Sequence, residues 1–470
     1  MVKKKVYSLV WAVGLMLTLT ACSKEAEAFF QESKNELQES SLFENQTEKE
    51  SKTAVVVEDF NPIATIEQVL IYDKNDVKIT VNGLEYSDYY AELNITIENN
   101  SAKDLTFNAG SVAYANNAIN GIMIGDGHIY VDIPAGKKIN ETIDFSIDNL
   151  MLHGITQIAE IQLSIKAEDK DYNHFYTGPM KIKTSIADSY DFSLNTYASI
   201  MKNGVFETLS QSSIEHYSET ELYDQEGIQI ISQALVTTSN EEKILMYEVV
   251  NTSEQFIYLD SSNISINGLE IYPFSCGKES INPKTRRVVT INLSNLLADE
   301  YIQLLVGGKI SEIGINFKLV DINYDDITPE SKVCFVISSE TPKIDTSGTE
   351  LYNNKGIRII SKGLYESPSE YDNGWHWLLL IENNYTEMVT VEDEDDSLSL
   401  NNYMLDYIAY DTQLDVGQHA LMIVQIDEDS LITNSLDNIN SVTCAEMKFT
   451  IRTESYKEID NFEIQNEFNN

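Results

Sequence analysis

The sequence predicts an all-β protein: three tandem immunoglobulin-like antiparallel β-sandwich domains after a disordered tether. Two observations carry this. Five blocks of apolar and turn residues recur three times along the chain, with apolar residues at every second position within each block. Ahead of them, residues 23 to about 60 are rich in Glu, Ser, Lys, Asn and Gln and hold few large apolar side chains, too few to offset the entropy of ordering.

Each repeat opens with an apolar residue, Tyr and an Asx, then a polar turn and an alternating strand: Ile71-Tyr72-Asp73 to Ile79, Leu222-Tyr223-Asp224 to Ile230, and Leu351-Tyr352-Asn353 to Ile359. The turn residues are Asp76, Gly227 and Gly356, so the block reads as a strand, a tight turn and a second strand. The regular return of Tyr72, Tyr223 and Tyr352 beside this turn points to a structural role. The next strand places Leu93, Ile95 and Ile97 on one face, matched by Leu245, Tyr247 and Val249 and by Trp377, Leu379 and Ile381. It ends in a polar turn containing Asn99, Asn251 or Asn383.

A hairpin follows, turning at Asn120-Gly121, Asn267-Gly268 and Asn401-Asn402, residue pairs that accept the positive φ of a type I′ turn. The next alternating strand (Ile143, Phe145; Val289, Ile291; Met422, Val424) runs toward a helical turn that Asp148, Ser294 and Asp427 are placed to cap. The last block has identical spacing in all three repeats: Ile158, Ile161, Leu163, Ile165; Ile310, Ile313, Ile315, Phe317; Cys444, Met447, Phe449, Ile451. That agreement fixes the register and divides the chain into repeats at 63–188, 218–340 and 350–468. Between the first two, residues 189–217 space Tyr197, Ile200 and Met201 for a short helix. Between the second and third, 341–349 reads as a plain linker with Pro342 and Gly348. The Cys, Trp, Cys pattern of antibody domains is absent, so the expectation concerns architecture only.

The first 21 residues have the form of an export signal. Lys3, Lys4 and Lys5 precede an apolar run from Val6 to Leu19, too short and wrongly flanked for a permanent span. Leu19-Thr20-Ala21-Cys22 resembles the lipobox of bacterial lipoproteins. That resemblance implies cleavage before Cys22, lipidation of its thiol and a lipid-anchored protein facing outward from the cell membrane. Two or more acyl chains give lasting attachment where one is reversible. Residues 22–62 would then form the lipid anchor and tether, and the flexible stretch has a reach of about 35 Å.

Removing residues 1–21 takes away three lysines and no acids, which moves the net charge from −43 to −46. A field of that sign repels phosphate backbones and anionic head groups, so neither nucleic acid nor a basic membrane face is expected. Apart from Cys22, the cysteines are Cys276, Cys334 and Cys444, an odd number that argues against a disulfide framework. A bridge between Cys276 and Cys334 and buried free thiols are both open readings.

No chemistry-bearing motif emerges. The six histidines show no metal-ligand spacing, and neither a nucleophile elbow nor a phosphate loop occurs, so no catalytic residue, metal or cofactor is expected. The acidic run Glu392 to Asp396 lacks the Gly and spaced ligands of a calcium loop and reads as a solvated loop. Trp375 and Trp377 lie two apart on one strand. Trp377 aligns with Leu93 and Leu245 and reads as core, whereas Trp375 aligns with Ala91 and Lys243 and is the candidate ligand-binding side chain, with core packing favoured for the pair.

The repeats resemble the uncharacterised immunoglobulin-like units that recur in surface lipoproteins of Gram-positive bacteria, through the opening block, the Asn-Asn turn and the Asn-Gly hairpin. Repeat one departs by carrying Asp76 where Gly is usual. The resemblance implies a cell-surface location and binding of a ligand or protein, with no catalytic residues to carry over. The expected function is therefore non-enzymatic: modules displayed for adhesion or for binding an extracellular protein or glycan. The alternatives are a carbohydrate-binding module using Trp375 and exposed tyrosines, or an accessory subunit of an envelope enzyme or transporter.

Overall fold

The computed structural model describes residues 55–110, 116–340, 343–368, 374–436 and 438–468, with the side chains of 272–276 excluded. The export signal, Cys22 and most of the expected tether lie outside the described residues. The fold is all-β, built from antiparallel β-sandwiches with a few short helices.

The chain forms two compact units. One gathers the described residues up to Glu219 with Val236–Glu242 and Lys284–Val288; the other comprises Thr220–Leu235, Lys243–Pro283 and the described chain from Val289 onward.

In the first unit, Val69–Lys74, Val77–Tyr86, Tyr90–Asn99 and Lys137–Ser146 form one four-stranded antiparallel sheet. Facing strands include Leu105–Ala109, Ile129–Ile133 and Ile165–Glu168. Alternation sends Ile79, Leu93, Ile95, Ile97, Phe107 and Phe145 into one core at zero exposure. Residues ahead of the expected tether boundary at residue 62 already pack on this sandwich. The Asn61 amide donates to the Thr156 carbonyl at 2.7 Å, and Phe60 packs against this core. The segment after the sandwich forms the helix Thr196–Lys202, burying Tyr197 and Met201, and a second helix, Val205–Ser210.

Within the second unit, Ile257–Ile266 pairs with both Leu269–Ile281 and Glu312–Val320, and Glu312–Val320 also pairs with Ser331–Val336. Farther along, Thr349–Asn354, Ile357–Glu366, Trp375–Asn383 and His419–Ile426 form a sheet. Opposite it lie Val389–Asp393, Cys444–Thr453 and Glu458–Glu467. Their inward residues form one core around Trp377, Leu379, Phe449 and Ile451.

The repeated turns keep their geometry. Asn75-Asp76, Glu226-Gly227 and Lys355-Gly356 all have positive φ, so Asp76 adopts the backbone that Gly supplies elsewhere. Asn120-Gly121, Asn267-Gly268 and Asn401-Asn402 do the same. In these three hairpins the leading Asn also reaches across the fold. Asn120 Nδ2 donates to Gln157 O, Asn267 Nδ2 to Lys309 O and Asn401 Nδ2 to Ser441 O, while each Oδ1 accepts from two successive backbone amides.

A second set of asparagines staples the sheets. Asn99 Nδ2 donates to Lys103 O and Ile133 O, Asn251 Nδ2 to Gln255 O and Ile281 O, and Asn383 Nδ2 to Glu387 O and Leu414 O. Each Oδ1 accepts a backbone amide two residues on, from Ser101, Ser253 and Tyr385. All three side chains are buried, so these bonds satisfy groups that water cannot reach.

Two expectations shift. Asp427 caps its helix at the Ser430 amide, but in repeat one the cap is Ser146, two residues before Asp148, because the strand ends sooner. Residues 343–348 are not a plain linker. The buried Lys362 ammonium holds the Asp345 carboxylate at 3.1 Å and the Ser347 carbonyl at 2.6 Å, and Ile344 packs on apolar side chains.

Those side chains form a seam joining repeats two and three within the second unit. Leu269 and Glu270 pair in parallel with His419 and Ala420, and Ile266, Leu269, Ile302, Leu305, Ile360 and Leu380 form a shared cluster. Beside it, Lys332 Nζ lies 3.1 Å from Glu270, whose other carboxylate oxygen accepts the Asp415 amide at 3.2 Å. Burial pushes the Glu270 carboxyl up to about 6 despite the Lys332 charge.

Candidate binding surface

The sequence marked the acidic run and Trp375, and in the structure Trp375 takes the core packing favoured for the tryptophan pair. The indole of Trp375 is 6% exposed and belongs to the core of repeat three, opposite Ile426 and Glu366 in register. An indole at that exposure has no open face for a sugar ring to stack on. Trp377 is fully buried and donates from Nε1 to Ser361 Oγ at 2.9 Å.

Most of the acidic run serves the fold. Glu392 pairs with Arg452 at 2.8 Å, Asp393 accepts the Tyr407 hydroxyl at 2.6 Å, and Glu394 accepts from Asn461 Nδ2 at 2.5 Å. Burial and then the Asp393 hydrogen bond push Tyr407 up to about 12. Asp396 is the member that lines a cavity.

That cavity, 470 Å³, is lined by polar and apolar side chains and sits on repeat three. Besides Asp396, two short pieces build it. The hairpin Ser399–Leu400 with Tyr403–Met404, turned by Asn401-Asn402, supplies Met404 and leads into Leu405 and Asp406. The helix Glu428–Thr433, capped by Asp427, supplies Asp429, Ser430 and Thr433. The Asp406 amide donates to Ser430 Oγ at 3.0 Å, and the Asp427 amide to Asp406 O at 3.0 Å, which locks hairpin exit to helix start. The lining thus offers three carboxylates, Asp396, Asp406 and Asp429. Met404 is itself largely exposed there, and the hairpin and helix also carry exposed Tyr403 and Ile432.

Carboxylates set among exposed apolar side chains suit a cationic group attached to an apolar body. They do not form an ion cage: among the described residues no three His, Cys, Asp or Glu side chains come together as a metal-holding group. The described histidines are dispersed as well. His153 is buried with Nδ1 2.8 Å from Asn149 O, and burial pulls its pKa down. His376 Nδ1 meets the Tyr301 hydroxyl at 2.9 Å, and His419 lies 3.6 Å from Glu382.

Cys334 is a free, exposed thiol and Cys444 a free, half-buried one, although Cys444 aligns with fully buried Ile158. The Cys276 side chain lies outside the described residues. In the first unit a separate groove of 550 Å³ is lined by Val55, Val56, Met151, Ile200, Val205 and Leu209 among others. The start of the described chain forms one of its walls.

The cavity escaped sequence reading because its three carboxylates come from three separate segments. The signal that was present is local: exposed Tyr403 and Met404 follow the repeat-three hairpin, where the matching residues of repeat one, Ile122 and Met123, are buried.

No protein-family model matches the chain, and no curated protein does. Among solved structures, one that gives insight into host cell surface retention of a 1.5-MDa bacterial ice-binding adhesin is similar at 9% identity and TM-score 0.13, over 80% of this chain and 90% of that one. The exo-chitosanase of Amycolatopsis orientalis is similar at 6% identity and TM-score 0.15, over 86% and 79%. A biofilm-associated protein domain is similar at 8% identity and TM-score 0.13, over 89% and 84%. Likeness at this level carries no argument about activity or ligand.

Proposed function

We propose that this chain is a non-enzymatic bacterial surface lipoprotein, held in the cell membrane by lipid on Cys22, whose sandwich modules bind an extracellular protein or glycan. The observation that carries the reading is repetition. One framework, with the same buried asparagine staples, occurs three times in one chain, while residues after the repeated hairpin differ in exposure, Tyr403 and Met404 being exposed where Ile122 and Met123 are buried. Tandem copies of a scaffold with divergent surfaces suit display and contact, whereas a catalytic site needs convergent groups at one place. The Leu19-Thr20-Ala21-Cys22 segment supports outward display on a lipid anchor.

The cavity on repeat three is the first contact point we assign, through Asp396, Asp406 and Asp429. The test has two arms. Cys22→Ala should move the protein from the membrane fraction to the medium and abolish labelling by a clickable palmitate analogue; continued labelling would refute the anchor. Crosslinking on intact cells should recover a partner from the unmodified protein, and Asp406→Asn/Asp429→Asn should reduce that recovery. Undiminished recovery would remove the cavity from the reading.

A further inference from the structure

One feature recurs in every repeat and plays no part in core or cavity. At the end of the last shared strand the chain makes a tight hairpin, at Asp169–Asn173, at Asp321–Asp325 and, two residues sooner in the shared register, at Thr453–Lys457. The backbone bonding is the same in each. Asp169 N donates to Asn173 O at 2.9 Å and Tyr172 N to Asp169 O at 3.0 Å; Asp321 N donates to Asp325 O at 2.9 Å and Tyr324 N to Asp321 O at 3.1 Å; Thr453 N donates to Lys457 O at 2.9 Å and Tyr456 N to Thr453 O at 2.9 Å. The first residue of each turn also accepts from within the loop: Asp169 Oδ1 takes the Asp171 and Asn173 amides, Asp321 Oδ1 those of Asn323 and Asp325, and Thr453 Oγ1 that of Lys457.

The fourth residue is Tyr in all three turns, with φ of 63°, 68° and 60°. A bulky residue is rare in this left-handed region, where Gly or Asn fits without strain. Exposure is 80% for Tyr172, 57% for Tyr324 and 82% for Tyr456. Core packing therefore does not account for the rings, and turn geometry favours other residues. Three otherwise divergent copies nonetheless carry Tyr at this place, which points to contact with something outside the chain.

The second repeat indicates what that contact is. Lys278 Nζ lies over the Tyr324 ring, 5.1 Å from its centroid, while Tyr258 stacks on the ring at 5.4 Å and 12°. Lys278 stands three residues before Ile281, whose carbonyl accepts from the Asn251 staple. The corresponding positions, counted from Ile133 and Leu414, are Tyr130 and Asp411. Repeats one and three therefore have no lysine at the position that places an ammonium on the second ring. Carboxylates lie around each turn: Asp169 and Asp171 in the first, where Asp169 is paired with Lys103 and Lys170 stands between them in sequence; Asp321 and Asp325, with Asp326 next to it, in the second; and Glu454 in the third, with Glu458 just beyond Lys457.

We infer that Tyr172 and Tyr456 each receive an alkylammonium group from a lysine-bearing polypeptide, in the place that Lys278 takes on Tyr324. Cation–π attraction and the surrounding carboxylates supply the affinity. This goes beyond the binding reading above, since it assigns a different surface and a chemical class of partner.

The test uses the full-length chain in detergent micelles and a fluorescent peptide carrying trimethyllysines. Its control is the same peptide with the neutral carbon isostere of that side chain. The charged peptide should bind at least about tenfold more tightly than the isostere. Tyr172→Ala/Tyr456→Ala should weaken it by roughly 2- to 30-fold, the range of a cation–π contact, and Tyr172→Trp/Tyr456→Trp should retain binding. Because the Ala variant keeps the net charge, non-specific attraction to an acidic protein predicts equal binding by both forms, and that result would overturn the inference. Equal affinity for peptide and isostere, or tyrosine-dependent binding of an uncharged oligosaccharide in place of the peptide, would overturn it too. None of these results bears on Cys22 or on the carboxylate cavity, whose variants are separate.

Discussion

Removing the Asn383 staple is the sharpest test of how the repeated framework is held. Its side chain is 1% exposed and makes three hydrogen bonds to backbone: to Glu387 O at 3.1 Å, to Leu414 O at 3.0 Å and from Tyr385 N at 2.9 Å. Truncation in Asn383→Ala removes all three and leaves two carbonyls and one amide short of a partner. At about 1 kcal/mol net per bond, with added desolvation cost for groups water cannot reach, the loss comes to about 3–5 kcal/mol. With a urea dependence of about 2 kcal/mol per molar, the unfolding midpoint should fall by about 2 M. Repeat three has its own reporter, since Trp375 and Trp377 both lie in its core and the remaining tryptophan, Trp11, is in the expected signal segment. Urea unfolding followed by tryptophan fluorescence therefore reads the affected repeat. Asn383→Asp keeps the size but turns a carboxylate toward two carbonyl oxygens, so at neutral pH it should be the worse variant and should recover partly in acid. A loss below about 1 kcal/mol for Asn383→Ala, or equal stability of the Ala and Asp variants at pH 7, would refute the staple.

Three further outcomes follow from other sites. Glu270 has its carboxyl raised from the usual 4.5 to about 6, so the fold favours its protonated form. Its contribution is then full below about pH 4.5 and declines by about 2 kcal/mol as pH rises through 6, and Glu270→Gln should flatten that part of the stability profile measured by urea midpoints. Tyr352→Phe removes the hydroxyl that donates to Asp460 at 2.6 Å but keeps the ring stacked 3.8 Å from Phe462, so calorimetry should find a loss of about 1 kcal/mol, and a loss above 3 kcal/mol would contradict that division. At the exposed left-handed position, Tyr456→Gly relieves backbone strain, so the variant should be as stable as the parent or more stable by up to about 1 kcal/mol while losing ammonium binding.

Much of the fold was legible in the sequence because β-structure leaves local marks. Period-two alternation around Leu93, Leu245 and Trp377 put those side chains in the core, and the Asn-Gly and Asn-Asn pairs have the positive φ their chemistry allows. Asp76 replaces Gly without changing the turn because Asx side chains tolerate that region. The sites were less legible. Trp375 was weighed for ligand contact because its alignment with Ala91 and Lys243 suggested a rim position, and pairing with Ile426 and Glu366 gives it the core packing favoured for the pair. In the register of the last shared block, where Ile165, Phe317 and Ile451 correspond, Tyr172 and Tyr324 fall seven residues on but Tyr456 only five, and that offset hid the third copy of the turn. Only the shared backbone bonds reveal that Tyr172, Tyr324 and Tyr456 are equivalent.

The sequence by itself determined the β class, the threefold repetition, the turns and the expectation of a lipid-bearing Cys22, since each depends on residues within a few positions of one another. Tertiary structure alone decided which polar residues are spent inside the fold and which remain for contact. Asn99, Asn251 and Asn383 look like ordinary turn residues until the carbonyls they bridge are brought across from the facing sheet. Asp396, Asp406 and Asp429 become one surface only when hairpin and helix meet, and Glu270 acquires its raised affinity for a proton only when two repeats close over it. Burial and long-range pairing set these properties, and neither is written in local pattern.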